Sequence, residues 1–206
     1  AFVNRAKVAK AQVLMHVSSN NLARKAARLP SVATYRRKVQ QLIDRYRPQG
    51  VRTWGGMNEA NHDSQPTWNN PKRAAQFFLA MRSMCKGCKI IALDVLDQRG
   101  VDRYINRFYK ALGSRKRLAS IVGIHNYSDV NRKRTSGTRS IIRAVRNEVR
   151  QVAPRVLFAD VKILAENIEP EMRPWRVGAT AHGAGDHRSR TKFHRHPLFR
   201  IGTLIQ

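Results

Sequence analysis

Short apolar runs alternate with stretches of helical periodicity along this chain, and that alternation limits the fold more than any other feature. Val13-Leu-Met-His-Val17, Val51-Arg-Thr-Trp54, Lys89-Ile-Ile-Ala-Leu-Asp-Val95, Ile121-Val-Gly-Ile124 and Val156-Leu-Phe158 have the length and content of buried strands. Between them, Tyr35, Val39, Leu42, Ile43 and Tyr46 recur on one helical face. Asn70-Pro71 offers an N-cap and a first-turn proline for a helix running through Ala74, Ala75, Phe78 and Met81 to a cysteine pair. Val101, Tyr104, Ile105, Phe108, Tyr109 and Leu112 predict another helix, and Ile141, Ile142, Val145, Val149 and Val152 a further one. Shorter helical pieces are expected over the first ten residues and around 22–29. Strict strand–helix alternation predicts an α/β fold, a parallel sheet with covering helices.

In parallel α/β folds ligands bind beyond the carboxyl ends of the strands. Polar and aromatic residues recur at those places: Glu59 and His62, Asp94 and Asp97, His125 and Tyr127, and Asp160. The richest stretch is Trp54-Gly-Gly-Met-Asn-Glu-Ala-Asn-His62, where Glu59 stands between the carboxamides of Asn58 and Asn61. A carboxyl group among hydrogen-bonding neighbours suits proton transfer to a polar substrate. Asn and Gly are also ordinary residues of a strand-exit loop, for backbone reasons. Neither G-x-G-x-x-G nor G-x-x-x-x-G-K-[ST] occurs, so no nucleotide cofactor is expected.

Composition sets the remaining bounds. The 206 residues suit one domain or most of a larger one, and 42% hydrophobic content suffices for a core. No apolar run approaches the roughly 20 residues a bilayer-spanning helix needs. Forty Lys and Arg against 13 Asp and Glu give a formal charge of +27, most of it before residue 156. Such a field attracts polyanions, nucleic acid included, non-specifically. The chain opens Ala1-Phe-Val, which suggests that processing or truncation removed the start. Cys85-Lys-Gly-Cys88 reads as a short disulfide, a redox pair or half a metal site. No second Cys or His pair stands at zinc-ligand spacing, so a local disulfide in an oxidising compartment is expected rather than a metal, with reduced thiols the alternative.

Asn58-Glu59-Ala60-Asn61-His62 resembles the Asn-Glu-Pro-Asn signature of the clan A glycoside hydrolases, with Ala60 in place of proline. Ser64-Gln-Pro66, Cys85-Lys-Gly-Cys88 and His125-Asn-Tyr-Ser-Asp129 follow in the order seen in cellulase- and xylosidase-like members, over roughly residues 30–153. The resemblance implies an incomplete (β/α)8 barrel, about strands three to seven with their helices. Residues 1–155 would be a partial catalytic domain and residues 156–206 a divergent, irregular segment, disordered or out of its native reading frame. It further implies an extracellular or secreted protein acting on a carbohydrate, without cofactor or metal. Glu59 would be the general acid/base, and Asn58 would bind the hydroxyl beside the reacting carbon. His62, His125 and Tyr127 would line the subsite, and Trp54 and Trp68 would offer stacking faces. The sequence departs from the family pattern at Met57, where a Trp is usual. It departs again at Asp160, which occupies the nucleophile position one methylene short of Glu. Glu166 is the second candidate nucleophile, expected within a following helix. Other readings are a carbohydrate-binding relic without chemistry and a basic nucleic-acid-binding protein. The latter rests on Arg132-Lys-Arg134 with Arg139, Arg143 and Arg146, which is also the ordinary charged face of a solvated helix.

Overall fold

A computed structural model describes residues 2–18, 28–150, 162–166 and 198–204. Helix α1 (Phe2–Val8) leads into strand β1 (Gln12–Ser18), followed by α2 (Val32–Tyr46), β2 (Thr53–Gly55), α3 (Pro71–Met84), β3 (Lys89–Ile91) and β4 (Leu93–Leu96). Helix α4 (Val101–Leu112), a 3₁₀ turn (Gly113–Leu118), β5 (Ile121–His125), α5 (Tyr127–Asn131), α6 (Ser136–Arg150), β6 (Lys162–Glu166) and β7 (Leu198–Leu204) complete the order. Every strand pairing is parallel. The fold is α/β with helices between most successive strands, as the periodicity predicts.

The described residues form two sheets, in the orders β3-β2-β1-β7 and β4-β5-β6. Only Ala92 separates β3 from β4, and its N–H bonds to the Ile121 carbonyl at 2.8 Å. A single run of chain therefore leaves β2 and joins β5 at that residue. No pairing of β6 with β7 occurs among the described residues, so the fold is an α/β sheet system and no closed barrel is seen.

The helices form where their ends are satisfied and their apolar faces are buried. Ser31 caps α2 by accepting the Thr34 N–H at 3.0 Å, and Asn70 caps α3 by accepting the Arg73 N–H at 2.9 Å ahead of Pro71. Tyr35, Val39 and Ile43 of α2 are buried, as are Phe77, Phe78 and Met81 of α3 and Ile105, Phe108 and Tyr109 of α4. Tyr35 stacks on Phe77 with ring centroids 4.0 Å apart. Each such side chain contributes about 1.5–3 kcal/mol by leaving water. The Arg143 and Arg146 side of α6 is exposed while Ile141 and Val145 are buried, the solvated-face arrangement. Ser31→Ala is expected to lower stability by about 1 kcal/mol, since one donor of the first turn loses its partner. Urea denaturation checks this.

The structure departs from the expected layout in the C-terminal part. Glu166 ends strand β6, rather than lying in a helix, and its Cα is the register partner of His125. Leu198–Leu204, inside the segment read as irregular, forms a strand beside β1. The signal was missed because Leu198, Phe199, Ile201 and Leu204 do not alternate strictly and follow a stretch of Gly, Ala, Arg and His without a period. The strand expected at 156–158, Val152 and most of the helical piece around 22–29 lie outside the described residues. Cys85 and Cys88 form the expected disulfide, closing the turn between α3 and β3 across a Cα separation of 5.5 Å.

Candidate active site

The loop after β2 is pinned along its length. The Tyr35 hydroxyl donates to the Gly56 carbonyl at 2.6 Å, and the Asn58 and Ala60 N–H groups donate to Val17 and Asp94 carbonyls, each at 2.8 Å. The Tyr104 hydroxyl lies 2.9 Å from the carbonyls of both Ala60 and Thr67. Burial pushes the Tyr35 and Tyr104 phenols well above their usual range, so both stay protonated donors. Asn61 behaves as a piece of strand: its side chain donates to the Leu96 carbonyl at 3.0 Å and accepts the Leu96 N–H at 2.9 Å.

Glu59 sits between the two pinned amides with φ of 46°, in the left-handed region that a side chain with a Cβ rarely adopts. Such a residue costs on the order of 1–3 kcal/mol and persists where its surroundings over-determine it. Here the bonds of Asn58 and Ala60 to two different strands do so.

The Glu59 carboxylate meets His125, with Oε1 3.0 Å from Nδ1. The Tyr127 hydroxyl lies 3.2 Å from the same nitrogen. On the far side of the ring, His125 Nε2 is 2.8 Å from Asp94 Oδ1, and Asp94 Oδ2 is 2.5 Å from His16 Nδ1. The side chains of His16, Asp94 and His125 are at most 1% exposed, whereas Glu59 keeps 16% exposure. Both Asp94 contacts are buried ion pairs, to which hydrogen bonding from each imidazole adds. Burial alone would raise the Asp94 carboxyl; the charges of His125 and then His16 outweigh it and hold the group well below the usual carboxylate range. At 3.0 Å the Glu59 carboxylate is placed to accept a hydrogen bond from His125 Nδ1.

Two strand glycines make room for this chain of ionisable groups. Gly55 of β2 is the register partner of His16, and Gly123 of β5 is the register partner of Asp94. A Cβ on Gly55 would stand 2.6 Å from His16 Nδ1, and one on Gly123 would collide with the Asp94 carboxylate. His16 thus passes over β2 to reach Asp94 on β4. Gly123→Ala is expected to cost about 1–3 kcal/mol, as overpacking does. Gly56→Ala, whose Cβ would meet nothing nearer than 3.6 Å, is expected to cost less in the same urea titration.

The remaining sequence candidates separate into two groups. Asn58 is buried at the base of the Glu59 loop, and His125 and Tyr127 stand at the site itself. Trp54, expected as a stacking face, is fully buried, with its indole N–H 3.4 Å from the Val51 carbonyl; it is a core residue and offers no face to a ligand. Trp68 is 45% exposed. His62 is engaged within its own loop, with Nδ1 2.6 Å from Ser64 Oγ and Nε2 3.4 Å from Asp63 Oδ1. Asp160 lies outside the described residues. Asp97 and Asp129 hold backbone: Asp97 accepts the N–H groups of Ser128 and Asp129, and Asp129 accepts those of Gly137 and Thr138.

Sequence reasoning missed His16 and left Asp94 as one strand-exit acid among several. Both carried a signal. Each is an ionisable residue inside an apolar run, and glycine stands inside one other run and directly after another, where a strand otherwise disfavours it. No family model, characterised protein or solved structure matches the chain.

Proposed function

We propose that this chain is glycoside-hydrolase-like and hydrolyses O-glycosidic bonds of a polysaccharide or oligosaccharide with retention of configuration, Glu59 serving as general acid and then general base. The observation that carries the reading is the Glu59–His125 contact between the loop that leaves β2 and the carboxyl end of β5, with Glu59 the member of the buried chain that retains access to solvent. A residue that protonates the leaving oxygen in the first step regains its proton from the attacking water in the second, and the contact with His125 holds its carboxyl group in place for both. The Tyr127 hydroxyl, beside the same imidazole, would orient the sugar or the attacking group. Asn58 would bind the neighbouring sugar hydroxyl, and the exposed Trp68 would stack on a ring farther along the chain.

Retention requires a second carboxyl group about 5–5.5 Å from the first. Backbone register favours Glu166 over Asp160 for this part, since Glu166 stands beside His125 at the end of β6. A Glu there also removes the shortfall of one methylene that Asp160 carries. The Cys85–Cys88 disulfide supports an extracellular setting.

The test is the stereochemistry of the product. Hydrolysis of β-linked polysaccharides, followed by proton NMR before mutarotation, is expected to release the β-anomer. Release of the α-anomer would make the mechanism inverting and remove the nucleophile. Sugar binding without any turnover would make the chain a binding relic.

A further inference from the structure

Next to the Glu59 site lies a cavity of about 460 Å³ whose chemistry is different. It opens between the segments that follow β4 and β5, and its wall is tied to the site because the Asp97 N–H donates to the His125 carbonyl at 3.1 Å. Three guanidinium groups, Arg99, Arg132 and Arg134, line it together with the hydroxyls of Ser128, Ser136 and Ser140. Arg134 is held in place by Asp129 at 3.4 Å and by Ser128 Oγ at 3.1 Å. Arg99 and Arg132 are exposed and form no ion pair among the described residues. Of the two acids in the lining, Asp97 has its oxygens committed to the N–H groups of Ser128 and Asp129, which leaves Asp102 at the solvent edge. Cations outnumber available carboxylates, and serine hydroxyls complete a set of donors for a planar or tetrahedral anion.

We infer that this cavity is a subsite for an anionic sugar, and that the substrate is an acidic polysaccharide whose uronate carboxylate is read by Arg99, Arg132 and Arg134. The inference rests on Glu59 acting on a sugar chain, and it extends that chain by one or two units toward α6. A neutral glycan would leave the guanidinium groups without a counterpart. The high overall charge adds long-range attraction for such a polymer, and the cavity adds the place where the charge is recognised.

The experiment measures binding by calorimetry in the Glu59→Gln protein, so that turnover plays no part. The probes are β-1,4-linked triglucuronate, its neutral counterpart cellotriose and a short single-stranded DNA. Triglucuronate is expected to bind more tightly than cellotriose. Arg99→Ala/Arg132→Ala is expected to weaken it about tenfold or more, by loss of charge-assisted hydrogen bonds. Arg115→Ala/Arg117→Ala removes the same charge at the opposite end of β5 and is expected to change affinity less than about threefold, as screened surface charges do. Both pairs are solvent-exposed, and thermal unfolding verifies that each variant folds. Equal loss in the two double variants, equal binding of the neutral trisaccharide, or no binding of triglucuronate overturns the inference. DNA binding that exceeds triglucuronate binding and is lost in the cavity variant also overturns it. The glycosidase reading stands or falls separately, on the anomer released from neutral and acidic polymers.

Discussion

Asp94→Ala is expected to destabilise the protein by about 3–5 kcal/mol, the range for removing one partner of a buried ion pair. The carboxylate lies between His16 and His125, within ion-pair distance of both, and all three side chains are sealed from water. Alanine would leave two imidazoles facing an empty space and would take from His16 the carboxylate that compensates its charge, while His125 keeps Glu59. Against a typical total of about 5–15 kcal/mol, such a loss brings much of the population close to unfolding. Asp94→Asn keeps the shape and removes the charge, so its loss is expected to be smaller. Urea denaturation of the two variants separates packing from charge.

The same carboxylate makes stability depend on acid. Its folded value lies below the unfolded one, so its contribution is complete above about pH 4 and is lost as pH falls further, through the depressed folded value. Asp129 acts in the same direction: burial opposes its ionisation, while the N–H groups of Thr138 and Gly137 and the charge of Arg134 favour it more strongly. The melting temperature is therefore expected to fall steeply below about pH 4, and less steeply in Asp94→Asn. An equally steep fall in that variant would assign the acid sensitivity elsewhere.

Glu59→Gln is expected to lower turnover on an unactivated glycoside by about 10²–10⁴-fold, the usual contribution of a general acid/base. Glutamine keeps the length of the side chain but cannot give a proton to the leaving oxygen or accept one from water. Activated aryl glycosides, whose leaving groups need little protonation, are expected to lose much less in the first step. Glu166→Gln is expected to be at least as severe on both substrates, because the nucleophile serves either leaving group. Asp160→Asn is expected to be mild. Full turnover by Glu59→Gln would end the acid/base assignment, and a severe Asp160→Asn with a mild Glu166→Gln would exchange the two nucleophile candidates.

The fold was readable wherever a segment buried one face. Tyr35 to Tyr46 and Val101 to Leu112 show their helices directly, because packing against a sheet demands apolar residues at helical spacing. Asn70 and Pro71 announced the start of α3 through local backbone chemistry. Helix α5 was not readable: its five residues are too few for a period, and it forms because Asp97, distant in sequence, accepts its first N–H groups. The site divided in the same way. Glu59, His125 and Tyr127 announce themselves as polar residues at strand exits. The link between them does not, since His16 and Asp94 come together only through strand order and through two glycines that leave space. Trp54 shows the converse error. Its position beside the motif suggested a ligand face, but strand alternation turns it into the core.

The change of partners at Ala92 makes the chain unusually sensitive there to a gain or loss of length. Side chains of a strand alternate between faces, so one residue inserted or deleted between Ala92 and Asp94 would reverse every side chain of β4. Leu93 and Val95 would then face the two histidines, and the Asp94 carboxylate would be driven among the apolar side chains of the covering helices. The largely exposed turn at 113–118 can absorb a change of length more readily than this junction. Drift in this protein is therefore expected to proceed by substitution across residues 89–96 and by insertion elsewhere.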